Sequence, residues 1–200
     1  LVDEAVAELE RGEARHRAAH QESMRRLLDS GVQLDLLRRD GFAVARRTAA
    51  LLALDSIEHP THLDDWRQRE AQALALGQTG NDTLWLEVAA ELARRRLAEA
   101  GSAEERGSAR RVLACALVSL GDRDKATDAL QQATQTCRDA LAETSHQQDP
   151  ALWGALQHEL ASALGLLGAQ ASDSAMLQEA LQACDAALRV RTRASAPQEW

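Results

Sequence analysis

Few residues of this chain are spaced for chemistry. His16 and His20 stand four apart in a helix-favouring stretch, which would put two imidazoles on one helix face, half of a zinc site. No HExxH pattern or carboxylate at a supporting spacing accompanies them, and their neighbours are very polar, so the pair reads as a solvated face. His59 and His62 flank Pro60 and read as capping or surface groups. Asp122 and Asp124 begin like a calcium loop, but the downstream Gly and Glu that such a loop needs are missing; they read as turn and cap residues. The Gly77–Gly80 tract has neither a preceding strand nor a following Lys to make a phosphate cradle. No serine elbow or Cys/His nucleophile pattern stands out. The three cysteines, Cys115, Cys137 and Cys184, sit in Ala/Leu-rich helical runs and read as small buried thiols, not as a disulfide framework. The expectation is a protein that is not an enzyme, with no catalytic residue, no metal and no cofactor.

The elements that carry these residues are helices. Aromatics make up 2% of the 200 residues, with no Tyr and a single Phe, so the core must be built from Leu, Ala and Val. Ala and Leu are also strong helix formers, and only three Pro interrupt the chain. Net charge is −8, and Lys125 is the single Lys. A mixed, acidic surface argues against nucleic acid, which selects a basic face. No apolar run of about twenty residues exists to span a membrane, and no signal peptide is evident. With thiols read as reduced, the expected location is cytoplasmic.

One spacing organises the second half. Pro150 and Pro197, Trp153 and Trp200, Cys137 and Cys184, and Gly121 and Gly168 are all 47 apart (197 − 150 and so on). Leu113, Ala116, Leu117 and Leu120 recur as Leu160, Ala163, Leu164 and Leu167. A fixed period of this size with helical apolar spacing inside it marks stacked helical units, each needing a neighbour to cover its apolar face.

The helix signals run as follows. A first helix covers Val2 to about Leu28, with Gly12 a candidate break and Gly31 its end. Asp40 is placed to cap a second, which His59-Pro60 stops. A third spans about Leu63 to Leu76, ending at Gly77, and a fourth Thr83 to Ala100. The next runs from about Ala103 to Leu120. A Gly121-Asp-Arg-Asp124 turn follows, in which Asp124 caps a helix to about Glu143. Pro150 starts another, ending near Gly168, and the last runs from about Asp173 to Arg193. Short connections predict antiparallel hairpins.

Leu113-Ala114-Cys-Ala116-Leu117 with Leu120-Gly121, its recurrence at Leu160, Ala163, Leu164 and Leu167-Gly168, and then Ala180, Cys184, Ala187, Leu188 and Pro197 resemble the tetratricopeptide (TPR) repeat. The match is good over 103–197, loose over 61–100 and poor over 1–60. It departs from the family in its period, 47 against a usual ~34, and in placing Cys where an aromatic is usual. The resemblance implies an all-α fold of antiparallel hairpins stacked as a right-handed α-solenoid of about eight or nine helices. It implies a divergent N-terminal helical region, 1–60, followed by repeats at about 61–101, 103–149 and 150–197. Trp200 would then start a further repeat, so the chain reads as truncated, with an exposed apolar end and a homodimer through it as an expectation. In that family peptides lie along the groove made by the first helix of each unit. Carried over, the groove positions are Ser108, Arg111, Cys115 and Ser119, then Ala155, His158 and Ser162. Arg111 and His158 share one repeat position, where they would receive a carboxylate of the peptide. The implied function is a scaffold for a protein or peptide partner; the alternative is an oligomerisation or regulatory arm of a larger protein.

Overall fold

A computed structural model describes residues 2–56 and 62–190, with side chains over 10–54 and 64–190. Among the described residues the fold is all-α, with eight helices and no strand. They are α1 (Val2–Arg38), α2 (Gly41–Ser56), α3 (His62–Gly80), α4 (Thr83–Glu99), α5 (Ala103–Asp124), α6 (Thr127–Glu143), α7 (Pro150–Ala171) and α8 (Ser174–Val190). The chain divides into two compact units, residues 1–65 and 66–200.

In all four hairpins the first helix ends in one kind of corner. Arg39, Asn81, Lys125 and Ser172, each one residue past a first helix, have φ between 52° and 55°, the left-handed region, and none is glycine. The next residue caps the second helix. Asp40, Asp82 and Asp173 accept with their carboxylates from the backbone N–H of Ala43, Leu84 and Ala175, satisfying donors that a helix start leaves unpaired. The N–H of the same three residues donates back to the carbonyls of Asp35, Gly77 and Gly168, closing the preceding helix. Residues 1–60 match the repeat poorly in sequence, yet α1–α2 turns as the other hairpins do.

The 47-residue period becomes a structural identity. α5 and α7 are 22 residues each, and the start and end of α5 and the start of α6 are each displaced by 47 in α7 and α8. α4, like α6, is 17 residues, but its start precedes that of α6 by 44 (127 − 83). The difference lies outside the hairpins: three residues, 100–102, link α4 to α5, and six, 144–149, link α6 to α7.

Several expected breaks are absent. Gly12 and Gly31 lie inside α1, Gly77 lies inside α3, and Gly121 to Asp124 form the last turn of α5. Asp124 therefore caps nothing; Ala126 holds that position without a side-chain bond. Gly77 and Gly121, like Gly168 in α7, are needed for space, not for turning. A Cβ at Gly77 would stand 2.6 Å from the side chain of Leu86, and one at Gly168 2.9 Å from that of Leu177; at Gly121 it would collide with Leu130. Each Leu is the fourth residue of its second helix, so the two helices of a hairpin meet glycine on leucine just before the corner.

Nearer the middle of the hairpins, alanines hold equivalent places on both helices. Ala114 and Ala140 are fully buried, and Ala161 and Ala187 recur at the same register. In α3–α4 those two places hold Glu70 and Arg96, buried and bonded by two contacts of 2.7 Å. Successive hairpins share a core in which Ala114, Cys137, Leu160, Leu164, Ala180 and Ala183 pack together, so neither hairpin buries its apolar side alone.

Candidate functional site

Among the first helices, α5 touches both α3 and α7, and several of the meeting points are polar. Gln78 on α3 donates its side-chain N–H to Cys115 Sγ at 3.3 Å and to Ser119 Oγ at 3.4 Å on α5. Arg123 near the end of α5 donates back to the Gln78 carbonyl at 3.0 Å. On the other side of Cys115, the α7 carboxylate Glu159 bonds to the thiol. Gly107 of α5 lies against Leu152 of α7, where a Cβ would stand 2.8 Å from Leu152 Cδ2.

Of the seven positions read from the sequence, Ser108, Arg111, Cys115, Ser119, Ala155 and Ser162 are half-buried, and His158 is exposed. Ser162 spends its hydroxyl on the His158 carbonyl of its own helix, at 3.0 Å. Arg111 is near enough to Glu70 and Cys115 for its charge to favour their ionised forms. Burial nonetheless leaves Glu70 above the ordinary carboxylate value; the Arg96 hydrogen bonds are the chief opposing influence, with Arg67 and Arg111 beyond them. Arg111 thus lies half-exposed beside a buried carboxylate already occupied by Arg96.

The cysteines divide by environment. Cys137 is fully buried, whereas Cys115 and Cys184 are only partly so, which corrects the reading of all three as buried. Burial, reinforced by the nearby Glu159, pushes the Cys115 thiol up to about 12. Burial does the same for Cys137, also to about 12. A thiol so raised holds almost no thiolate at neutral pH and is a poor nucleophile. It can accept or donate a weak hydrogen bond.

Two contributors escaped the sequence reading. Gln78 lies past the expected end of the third helix at Gly77, but α3 runs three residues further and carries Gln78 onto α5. Glu159 has Val112 as its repeat counterpart, so nothing in the periodicity singled it out. His16 and His20 are exposed on α1. His59 and the side chain of His62 lie outside the described residues, as do Pro197 and Trp200. Among the described residues no group of three or more His, Cys, Asp or Glu is arranged to hold a metal ion. None of the described helices is long and apolar enough to cross a membrane. No family model, curated protein or solved structure matches the chain.

Proposed function

We propose that this chain is a TPR-like module that holds a protein or peptide partner on the face shared by α3, α5 and α7. The observation that carries this reading is the chemistry of that face. It combines half-exposed hydroxyl, guanidinium and carboxylate groups (Ser119, Arg111 and Glu159) and the exposed amide of Gln78 on helices instead of loops. An extended backbone needs donors and acceptors at intervals, and a rigid framework supplies them with little ordering cost on binding. The inert thiol of Cys115 and the prior bonding of Glu70 to Arg96 suit a binding surface better than a catalytic one.

Arg111 and His158 are the cations expected to meet a carboxylate of the ligand. Replacing both with Ala should weaken a peptide partner by roughly tenfold, the effect of one lost half-exposed charged contact. The melting temperature should stay nearly unchanged, because neither side chain bonds to another described residue. Equal affinity of wild type and double variant, measured by isothermal titration, would remove these residues from the binding face.

A further inference from the structure

Counting back from the left-handed corner aligns the first helices of the hairpins, and one register stands out. The fourteenth residue before the corner is Arg25 in α1, Arg67 in α3, Arg111 in α5 and His158 in α7. Basic residues number 29 of 200 (23 + 6), so a basic residue at one place in all four hairpins is more than composition supplies. Nearby registers show no such uniformity. One residue earlier stand Met24, Trp66, Arg110 and Gln157, and three residues later Leu28, Glu70, Ala114 and Ala161.

Packing inside the hairpins does not account for this register. Arg25, Arg67 and Arg111 are half-buried and His158 is exposed, so none is a core residue. Nor does one internal partner recur with them. Arg25 meets Glu22 of its own helix at 3.5 Å. Arg67 and Arg111 both lie near enough to Glu70 for their charges to favour its ionised form, yet Glu70 is already held by Arg96 through two 2.7 Å bonds. In α7 that carboxylate is replaced by Ala161, and the basic residue is still present as His158. The charge recurs while its neighbour changes, which is the pattern of a group directed at something outside the hairpins.

Three of the four basic residues belong to the 66–200 unit and stand on consecutive first helices. Gln78 ties α3 to α5, and α7 packs on α5. Packed helices run with their axes about 8–10 Å apart, so equivalent residues on neighbouring first helices repeat at about that interval. A β-strand returns a side chain to the same side every second residue, at about 6.5–7 Å, which is too short, and the next return is too long. A polyproline II segment has three residues per turn and rises about 3.1 Å per residue. It brings a side chain back to the same edge every ~9 Å, which fits.

We infer that the partner held on this face is an acidic segment in polyproline II conformation, with a carboxylate at every third residue, one each for Arg67, Arg111 and His158. This rests on the binding-face reading above and adds the chemistry and spacing of the occupant. Arg67 and Arg111 can each take a carboxylate through paired hydrogen bonds. A chain of net charge −8 repels such a segment elsewhere, which leaves the basic register as the place of attraction. Of the carboxylates close by, Glu70 is buried against Arg96 and Glu159 is bonded to Cys115. Polyproline II is a major conformer of unfolded chains, so the segment needs little prior order.

Fluorescence anisotropy with labelled synthetic nonapeptides tests the spacing. Each peptide has blocked ends and the same three Glu, three Pro and three Ala, with Glu at every third, every second or every successive position. The third-residue peptide should bind the wild-type chain about tenfold more tightly than either of the others, since each misplaced charge contact forfeits about twofold to fivefold. Arg111→Glu should weaken this peptide and prefer the version in which Lys replaces the central Glu, because the middle residue of the three meets Arg111. Circular dichroism checks the fold of that variant, and the spacing comparison needs no variant at all. Equal affinity for the three peptides, still weakened by replacing Arg111 and His158 with Ala, would overturn the inferred spacing and leave the binding face standing. Equal affinity that survives those replacements would overturn both. No binding of any of the three would overturn the acidic occupant, the face itself being judged by its own double variant. A preference of Arg111→Glu for the all-Glu peptide would overturn the inferred register.

Discussion

Glu70 and Arg96 occupy places where the next two hairpins have Ala114 with Ala140 and Ala161 with Ala187. An ion pair thus stands in the α3–α4 hairpin where the next two hairpins have two alanines. Two buried charges gain little net stability from each other, because desolvation offsets most of their attraction, but each becomes a liability without its partner. Glu70→Ala or Arg96→Ala should each cost about 3–5 kcal/mol. The double variant should cost clearly less than the sum, by about 2 kcal/mol or more, since it restores the pairing the neighbouring hairpins use. Urea denaturation of the four proteins measures the coupling, and strict additivity would refute this account of the pair. The sign of the pH effect follows from the raised Glu70. Its proton binds more tightly in the folded state, so what that proton contributes is present below the ordinary carboxylate range and is lost as pH rises through the folded value. Arg96→Ala removes the main opposing influence, so this variant should regain stability on acidification relative to wild type. The pair was invisible in sequence because it breaks the small-residue pattern that identifies those positions.

The helical hairpin, taken as an element, depends on a corner that contains no glycine. An L-residue in the left-handed region costs roughly 1 kcal/mol relative to Gly. Lys125→Gly should therefore raise stability by about 0.5–1 kcal/mol, the more so because Lys125 has only an exposed 3.6 Å contact with Asp122 to lose. Four residues earlier the requirement reverses. Gly121→Ala drives a methyl into Leu130, which is fully buried and has no room to move, at a cost of about 1–3 kcal/mol. Gly165→Ala is the control: a Cβ there meets nothing within 4 Å, and helix propensity alone should make it neutral or stabilising by up to about 1 kcal/mol. Thermal denaturation should place Lys125→Gly and Gly165→Ala at or above the wild type and Gly121→Ala below it, and a stabilised Gly121→Ala would refute the glycine-on-leucine contact. Helix existence was legible throughout the sequence, because Ala, Leu and their spacing decide it. The starts at Thr83, Ala103 and Pro150 and the end at Glu143 were legible too, but the C-terminal ends of the first helices were not, because glycine reads as a stop signal where it serves as a gap for a leucine.

Alkaline pH offers an unusually clean view of the whole molecule. The chain has no Tyr and a single Lys, so few groups besides the thiols titrate between about pH 9 and 12. Cys115 and Cys137 carry folded values of about 12 against an ordinary 9.0. With folded values raised, their contribution is intact below about pH 9 and drains away as pH climbs toward 12. Stability should fall over that window, with Cys137 accounting for on the order of 1–2 kcal/mol by about pH 10.5. Cys137→Ala should flatten the slope of urea midpoint against pH; an unchanged slope would show that the thiol is not sealed in the core. At this scale the sequence reading succeeded where two hairpins keep one period and faltered where the linker changed. The α3–α4 hairpin fitted loosely because it lies 44 residues from its neighbour instead of 47, although it carries the same glycine, leucine and corner.

That difference has a consequence for how the chain tolerates change. From Ala103 to Thr127 and from Pro150 to Ser174 the length is invariant at 25 residues, while the stretches between hairpins differ twofold, three residues against six. A residue gained inside α6 would rotate everything beyond it by about 100° and turn its apolar column toward water. A residue gained among 100–102 or 144–149 shifts numbering without shifting any side chain from its seat. Growth and loss in this architecture are therefore expected at those joints, as whole hairpins or as slack between them.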